Sequence, residues 1–174
     1  MSAHGKDQPK GWKAFHYIHG PMNAQATPGT APIPLLILDS NTLFDWLVFA
    51  EPAACAVGAA AQAGTVRWLC SEPLWAEWVY TLARPIAARW EPARQLALAN
   101  LDTPRRWATF AAQPAPAPLR CLDGDDQKFL DLALAHPGSA LLTRDKALLR
   151  LARRAALHGV RITSATTWVR ECPH

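Results

Sequence analysis

The sequence lacks any apolar run of the roughly 18–20 residues that a bilayer-spanning helix needs. Its first 31 residues hold no apolar stretch of about 7–15 residues such as a secretory signal carries. Both absences lead to the expectation of a soluble, cytoplasmic chain with no membrane partner. There is no C-x-x-C pair either. Cys55, Cys70, Cys121 and Cys172 stand apart, with no histidine following at zinc-finger spacing. Cys70 and Cys121 each end an apolar run and read as small buried hydrophobes. His16 and His19, at i and i+3, have no further ligand beside them in a leader containing Pro, Gly and Gln. No internal repeat appears. A strong charge of one sign is missing as well: 18 Lys and Arg stand against 14 Asp and Glu, a formal +4. That balance permits an anionic partner without requiring one.

What is present suits one globular domain. The chain has 174 residues, 50% of them hydrophobic, long enough to bury a sizeable core. Residues 1–31 are dominated by Pro, Gly, Ala and polar residues without periodicity, and are expected to form a poorly ordered N-terminal extension. Residues 32–174 are expected to form the domain. Strands are predicted at 33–38, 65–70, 118–122, 139–143 and 159–163. Helices are predicted at 41–50, 52–63, 72–84, 91–112, 125–136, 145–158 and 166–171. Pro85, Pro137-Gly138 and His158-Gly159 mark three helix ends. Short strands, apolar on both faces and separated by helices, predict a parallel sheet covered on both sides. The segment "QPAPAP" reads as a stiff connection within the domain. Eight tryptophans are expected to pack in the core or a dimer interface rather than stack on bases.

In open parallel sheets, ligands bind beyond the carboxyl ends of the strands. "PLLILDSNTLFDWL" places Asp39 there, immediately after the first strand. Ser40 or Asn41 can cap the helix that follows, which leaves the Asp39 carboxylate free. "ALLTRDKALLRLA" places Asp145 at the same level, where capping is the simpler role. In "LDGDDQKFLDLALAH", Asp126 shares the inward face of Phe129 and Leu130. Asp123 and Asp125 read as caps or solvent-facing, and Asp131 as solvated. In "SEPLWAEWVYTLARP", Glu77 lies inside the stripe Leu74, Trp78, Thr81, Leu82. It is either an ion pair at the core's edge or a functional carboxylate. Asp45 reads as solvent-facing.

Four acids, Asp39, Glu77, Asp126 and Asp145, can thus gather at one end of the sheet. Crowded carboxylates repel unless something neutralises them. Hard divalent cations, Mg²⁺ or Mn²⁺, favour oxygen ligands of this kind and suit phosphodiester hydrolysis.

These residues resemble the PIN-domain ribonucleases, and more narrowly the PIN-family toxin components of bacterial toxin–antitoxin pairs. "LILDSNTLFDWLVF" is similar to the family's opening strand with its D-[ST]-N motif. "AEWVYTLARP" resembles its E-x-x-x-x-L-x-R-P helix. "DGDDQKFLDLALAHPGSALLTRDKALLRL" resembles D-D-x-x-[FL]-L-x-L-A followed by T-x-D-x-x-L-L. "GVRITSATTWV" is similar to the last short strand and helix. The resemblance covers about residues 33–170. It implies a three-layer α/β/α fold with a central parallel sheet of about five strands, and Mg²⁺- or Mn²⁺-dependent endoribonuclease activity. It makes Asp39, Glu77, Asp126 and Asp145 the four catalytic and metal-binding acids, with Asn41 and Thr143 holding carboxylates or waters in place. It further implies an RNA substrate, a cognate antitoxin and a homodimer. Ser40 departs mildly from the family's frequent Thr.

A polyanion needs a basic rim. Arg144 and Lys146 flank Asp145, and Arg84 follows Glu77 by seven residues; these are the candidate phosphate contacts. Arg105, Arg106, Arg153 and Arg154 read as solvated. Two competing functions differ in class. A haloacid-dehalogenase-type phosphatase needs a second Asp two residues after the first, where this chain has Asn41. A non-catalytic module of the same fold, binding RNA or a protein, leaves the acids unused.

Overall fold

The structure is a computed structural model and describes residues 32–172; the N-terminal segment, with His16 and His19, lies outside the described residues. Along the chain come β1 (Leu35–Leu38), α1 (Ser40–Leu47), α2 (Pro52–Ala63), β2 (Arg67–Cys70), α3 (Glu72–Leu82), a 3₁₀ turn (Ala88–Trp90), α4 (Glu91–Ala99) and α5 (Asp102–Arg105). They are followed by β3 (Ala108–Phe110), α6 (Gln127–Leu134), β4 (Ala140–Leu142), α7 (Lys146–Leu149), α8 (Ala152–Ala156), β5 (Arg161–Thr163) and α9 (Ala165–Glu171). The five strands form one sheet in the order β3-β2-β1-β4-β5, and every pairing is parallel. With helices around the sheet, the architecture is three-layer α/β/α, as expected.

The order explains the site. β1 lies at the centre, with Leu36 opposite both Trp68 of β2 and Ala140 of β4. Leu38 pairs with Leu142, so residues 39 and 143 leave adjacent strands at the same level. β1 and β4 are covered on both faces, which is why they read as unbroken apolar runs. Leu36, Ile37, Leu38, Leu141 and Leu142 are all buried.

Three predicted elements are corrected. Residues 118–122 form no strand, and the fifth strand is β3, inside the predicted helix 91–112. That helix stops at Ala99, and Pro104 limits α5 to one turn. The Ala-Thr-Phe that follows then pairs with Trp68, Leu69 and Cys70 of β2. At 118–122, the Gln127 side chain takes the backbone groups a strand would use. It donates to Leu119 O at 3.0 Å and accepts from Cys121 N at 2.8 Å. Pro114, Pro116 and Pro118 also lack the N–H a ladder requires. The predicted helix 145–158 is two short helices, α7 and α8.

Asp131, read as solvated, is buried at 5% exposure. Its Oδ1 accepts from Ala117 N at 2.8 Å and Gln127 Nε2 at 2.7 Å. It thereby fastens the Pro-rich connection to α6, a contact 14 residues away in sequence that helical periodicity does not reveal.

Most tryptophans among the described residues pack inward. Trp46, Trp68, Trp75, Trp78 and Trp168 are buried, and Trp46 lies 5.9 Å from Trp68 and 5.6 Å from Trp107, centroid to centroid. Gly58, inside α2, is where Trp46 comes closest to backbone. A Cβ there would fall 2.0 Å from Trp46 Cε2 and 2.3 Å from its Nε1. Gly58→Ala gains about 1 kcal/mol of helix propensity, but the indole is hemmed in by two other rings. We expect overpacking to prevail, with a net loss of about 1–3 kcal/mol and a melting midpoint lower by several degrees. A midpoint equal to or above the wild type's would show that Trp46 has room to retreat.

Among the described residues no single helix is long and apolar enough to cross a membrane.

Candidate active site

Asp39 sits between β1 and α1, buried at 2% exposure. α1 begins at once with Ser40, so Asp39 itself is the N-cap: its Oδ1 accepts from Thr42 N at 2.7 Å. The expectation that Ser40 or Asn41 would cap in its place is corrected here. Oδ2 accepts from the Thr143 hydroxyl. Burial pushes the Asp39 carboxyl above its ordinary value, against hydrogen bonds from Thr143, Thr42 and Asn41. A buried acid with donors but no cation beside it is under-neutralised.

Thr143 follows β4 and is buried. Its Oγ donates to Asp39 and accepts from Asp145 N at 2.8 Å. One hydroxyl therefore joins the ends of two neighbouring strands. Asp145 caps α7, with Oδ1 accepting from Ala147 N at 2.6 Å and Leu148 N at 3.1 Å. The capping role is thus observed, and it occupies one carboxylate oxygen.

Asp126 precedes α6 with helical backbone angles and makes no side-chain cap. Its carboxyl is pushed up to about 6, first by burial and then by the charges of Asp145, Asp123 and Asp39, with Lys128 opposing. The structure thus brings Asp39 and Asp145 within electrostatic reach of Asp126. Asp123 joins them from an exposed turn in which its Oδ1 accepts from Asp125 N at 2.9 Å. Cys121 lies beside the group, half-buried; burial chiefly, and these same acids, raise its thiol.

Glu77 is arranged differently. Its Oε2 lies 2.9 Å from Lys128 Nζ, and it is not among the charges that raise Asp126. Among the described residues, no three acid, histidine or cysteine side chains stand close enough to grip one ion unaided.

Of the candidate phosphate contacts, Lys146 is exposed in the first turn of α7. Arg144 is exposed and pairs with Asp45 Oδ1 at 3.0 Å, so Asp45 is a half-buried partner rather than a solvated acid. Arg84 is not brought to the acids. It follows the far end of α3, about 18 Å of helix rise from the carboxyl end of β2, and donates to Tyr80 Oη at 2.7 Å with its guanidinium over that ring. Arg105, read as solvated, pairs with Glu72 and lies 4.1 Å from the Phe110 ring centroid.

Sequence reasoning passed over Lys128, Thr42 and Gln113, while Asp123, read as a cap or solvent-facing, is exposed. Thr42 was legible in hindsight as the third residue of a capped turn. Its hydroxyl donates to Leu142 O at 2.9 Å, tying α1 to β4. Lys128 carried no signal, because a lysine in a helix's first turn reads as solvated.

The donor set suits a hard divalent cation. It consists of carboxylate and hydroxyl oxygens, and burial first, then the neighbouring acids, hold Asp126 at about 6. Mg²⁺ ordinarily retains several waters and takes one or two protein carboxylates, so a three-ligand cage is not required. Compared with protein-family models, the chain matches one described as PIN domain over residues 36–147. That span holds Asp39, Glu77, Asp126, Thr143 and Asp145. No curated protein matches the chain.

Proposed function

Because the chain belongs to the PIN-domain family, whose members are generally metal-dependent nucleases, we propose that it is a Mg²⁺- or Mn²⁺-dependent endoribonuclease that hydrolyses RNA phosphodiester bonds. The observation that carries this reading is the convergence of Asp39, Asp126 and Asp145 on the carboxyl ends of β1 and β4. In our reading Asp39, Asp126 and Asp145, with Glu77, hold the cation. Bound there, a divalent ion supplies positive charge against the phosphate oxygens and polarises the bond to be broken.

The chain's own residues do the rest. Thr143 fixes Asp39 and the turn that carries Asp145. Asn41, exposed at the start of α1, donates toward Asp39. Asp126, its carboxyl raised by burial and then by the neighbouring acids in the bare fold, gains most from the charge of a bound ion. Arg144 and Lys146 form the near rim and hold the RNA backbone without reading its sequence.

The motif resemblance supports a narrower role: the cytoplasmic toxin of a bacterial toxin–antitoxin pair, homodimeric and silenced by a cognate antitoxin. The competing reading is a non-catalytic module that retains RNA.

Purified protein should cut single-stranded RNA in Mg²⁺ or Mn²⁺, lose that activity in EDTA and regain it when the ion is restored. Retention of labelled RNA in a binding assay, with no cleavage in either metal, would establish the non-catalytic alternative.

A further inference from the structure

Lys128 occupies an unusual place. It is the second residue of α6, where the helix dipole favours anions and opposes a cation. Its side chain is nonetheless only 23% exposed, and its ammonium lies 2.9 Å from Glu77 Oε2 on α3. The same ammonium donates to the Asp125 carbonyl and stands near enough to Asp126 to act on its charge. Its backbone is anchored too: Gln113 Nε2 donates to Lys128 O at 3.1 Å, and the buried Ser71 donates to Gln113 Oε1 at 2.6 Å. Ser71 immediately precedes α3, which carries Glu77. A closed circuit of side chains therefore fixes one positive charge between the acid of α3 and the acid of α6.

A fixed ammonium next to a carboxylate occupies the charge that a metal ion would use. Neutralising Glu77 by Lys128 also removes that acid from the group formed by Asp39, Asp126 and Asp145. Resting on the metal-dependent reading above, we propose that Lys128 is a built-in counter-cation that competes with the divalent ion for Glu77 and so lowers the affinity of the pocket for metal. Glu77 is then a conditional ligand, released only when the ion displaces the ammonium. The alternative for the same contacts is a brace between α3 and α6 with no bearing on metal.

The test is Mn²⁺ titration of the full-length, EDTA-treated and desalted protein, with free Mn²⁺ read by electron paramagnetic resonance. Lys128→Met, close in shape and uncharged, should bind Mn²⁺ tighter than wild type by on the order of tenfold. Lys128→Gln should do the same and serves if the Met variant folds poorly. In a Glu77→Gln background the gain should vanish, because the competed ligand is gone. Arg144→Met, which removes a neighbouring cation that faces Asp45 instead, should have a much smaller effect.

Unchanged or weaker Mn²⁺ binding in both Lys128 variants overturns the proposal, leaving the brace. So does a gain that persists undiminished without Glu77, or one that Arg144→Met reproduces. The functional reading fails separately: Mn²⁺ binding indifferent to Asp126→Asn would refute it. Binding that depends on Asp126 but ignores Lys128 overturns the counter-cation alone.

Discussion

Asp126→Asn should lower RNA cleavage by at least about 100-fold while raising the melting temperature of the metal-free protein. The two effects have opposite signs because one carboxylate serves both. In the proposed function it helps to hold the cation. In the bare fold it is a charge pressed against Asp145, Asp123 and Asp39 in a partly buried place. Its carboxyl stands at about 6 against an ordinary 3.8, so the folded state keeps its proton more tightly than the unfolded chain. Below pH 3.8 both states are protonated and the group is neutral to stability. As pH climbs to about 6, the unfolded chain gives up a proton that the native state retains, and stability falls. Above that, the whole penalty is in force. Partial exposure limits it to on the order of 1 kcal/mol, a shift of a few degrees for a domain of this size. Melting curves in EDTA at pH 8 and pH 5 check the sign: the advantage of Asp126→Asn should be full at pH 8 and smaller at pH 5. A lower melting temperature than wild type at pH 8 would show that the acids do not crowd one another.

Trp78→Ala should be the most damaging core substitution in α3. Trp78 is 0% exposed and lies 5.0 Å from Trp75, centroid to centroid. Removing it leaves a cavity the size of an indole between helix and sheet, at a cost of about 3–5 kcal/mol and a midpoint roughly 10 °C lower. The same side chain has an inefficiency: its Nε1 is buried with no hydrogen-bond partner. Trp78→Phe discards that donor while keeping most of the volume, so it should cost far less than Trp78→Ala. Chemical denaturation of the two variants separates volume from polarity. Equal losses in both would mean that the indole N–H is bonded in solution.

What could be read from the residues, and what could not, divides along the range of the forces involved. β1 and β4 are buried on both faces, so their identity is written in consecutive apolar residues, and the acids that end them were found at once. Glycine and proline punctuation placed α2, α3 and α6 closely. β3 escaped because three residues, Ala108–Phe110, carry little pattern of their own; they become a strand by pairing with Cys70 and its neighbours. Residues 118–122 misled for the converse reason. They look extended and apolar, but the Gln127 side chain, further along the chain, takes the Cys121 N–H and the Leu119 carbonyl. Within the site, Asp39 and Asp145 were visible from strand position alone, and Thr143 entered by resemblance. Lys128 was hidden, since its role depends on Glu77 across two helices, and no local rule ties a lysine to an acid 51 positions earlier.

The hydroxyl shared by residues 39 and 143 has a consequence for a chain still under synthesis. Its two partners are separated by 104 positions, and β4 reaches its place beside β1 only after most of the domain has emerged. Until then the first acid is an ordinary N-cap with no companions. A nascent polypeptide that ends before Thr143 therefore lacks this bond and the acid that follows it, so the group of acids comes together only late in synthesis.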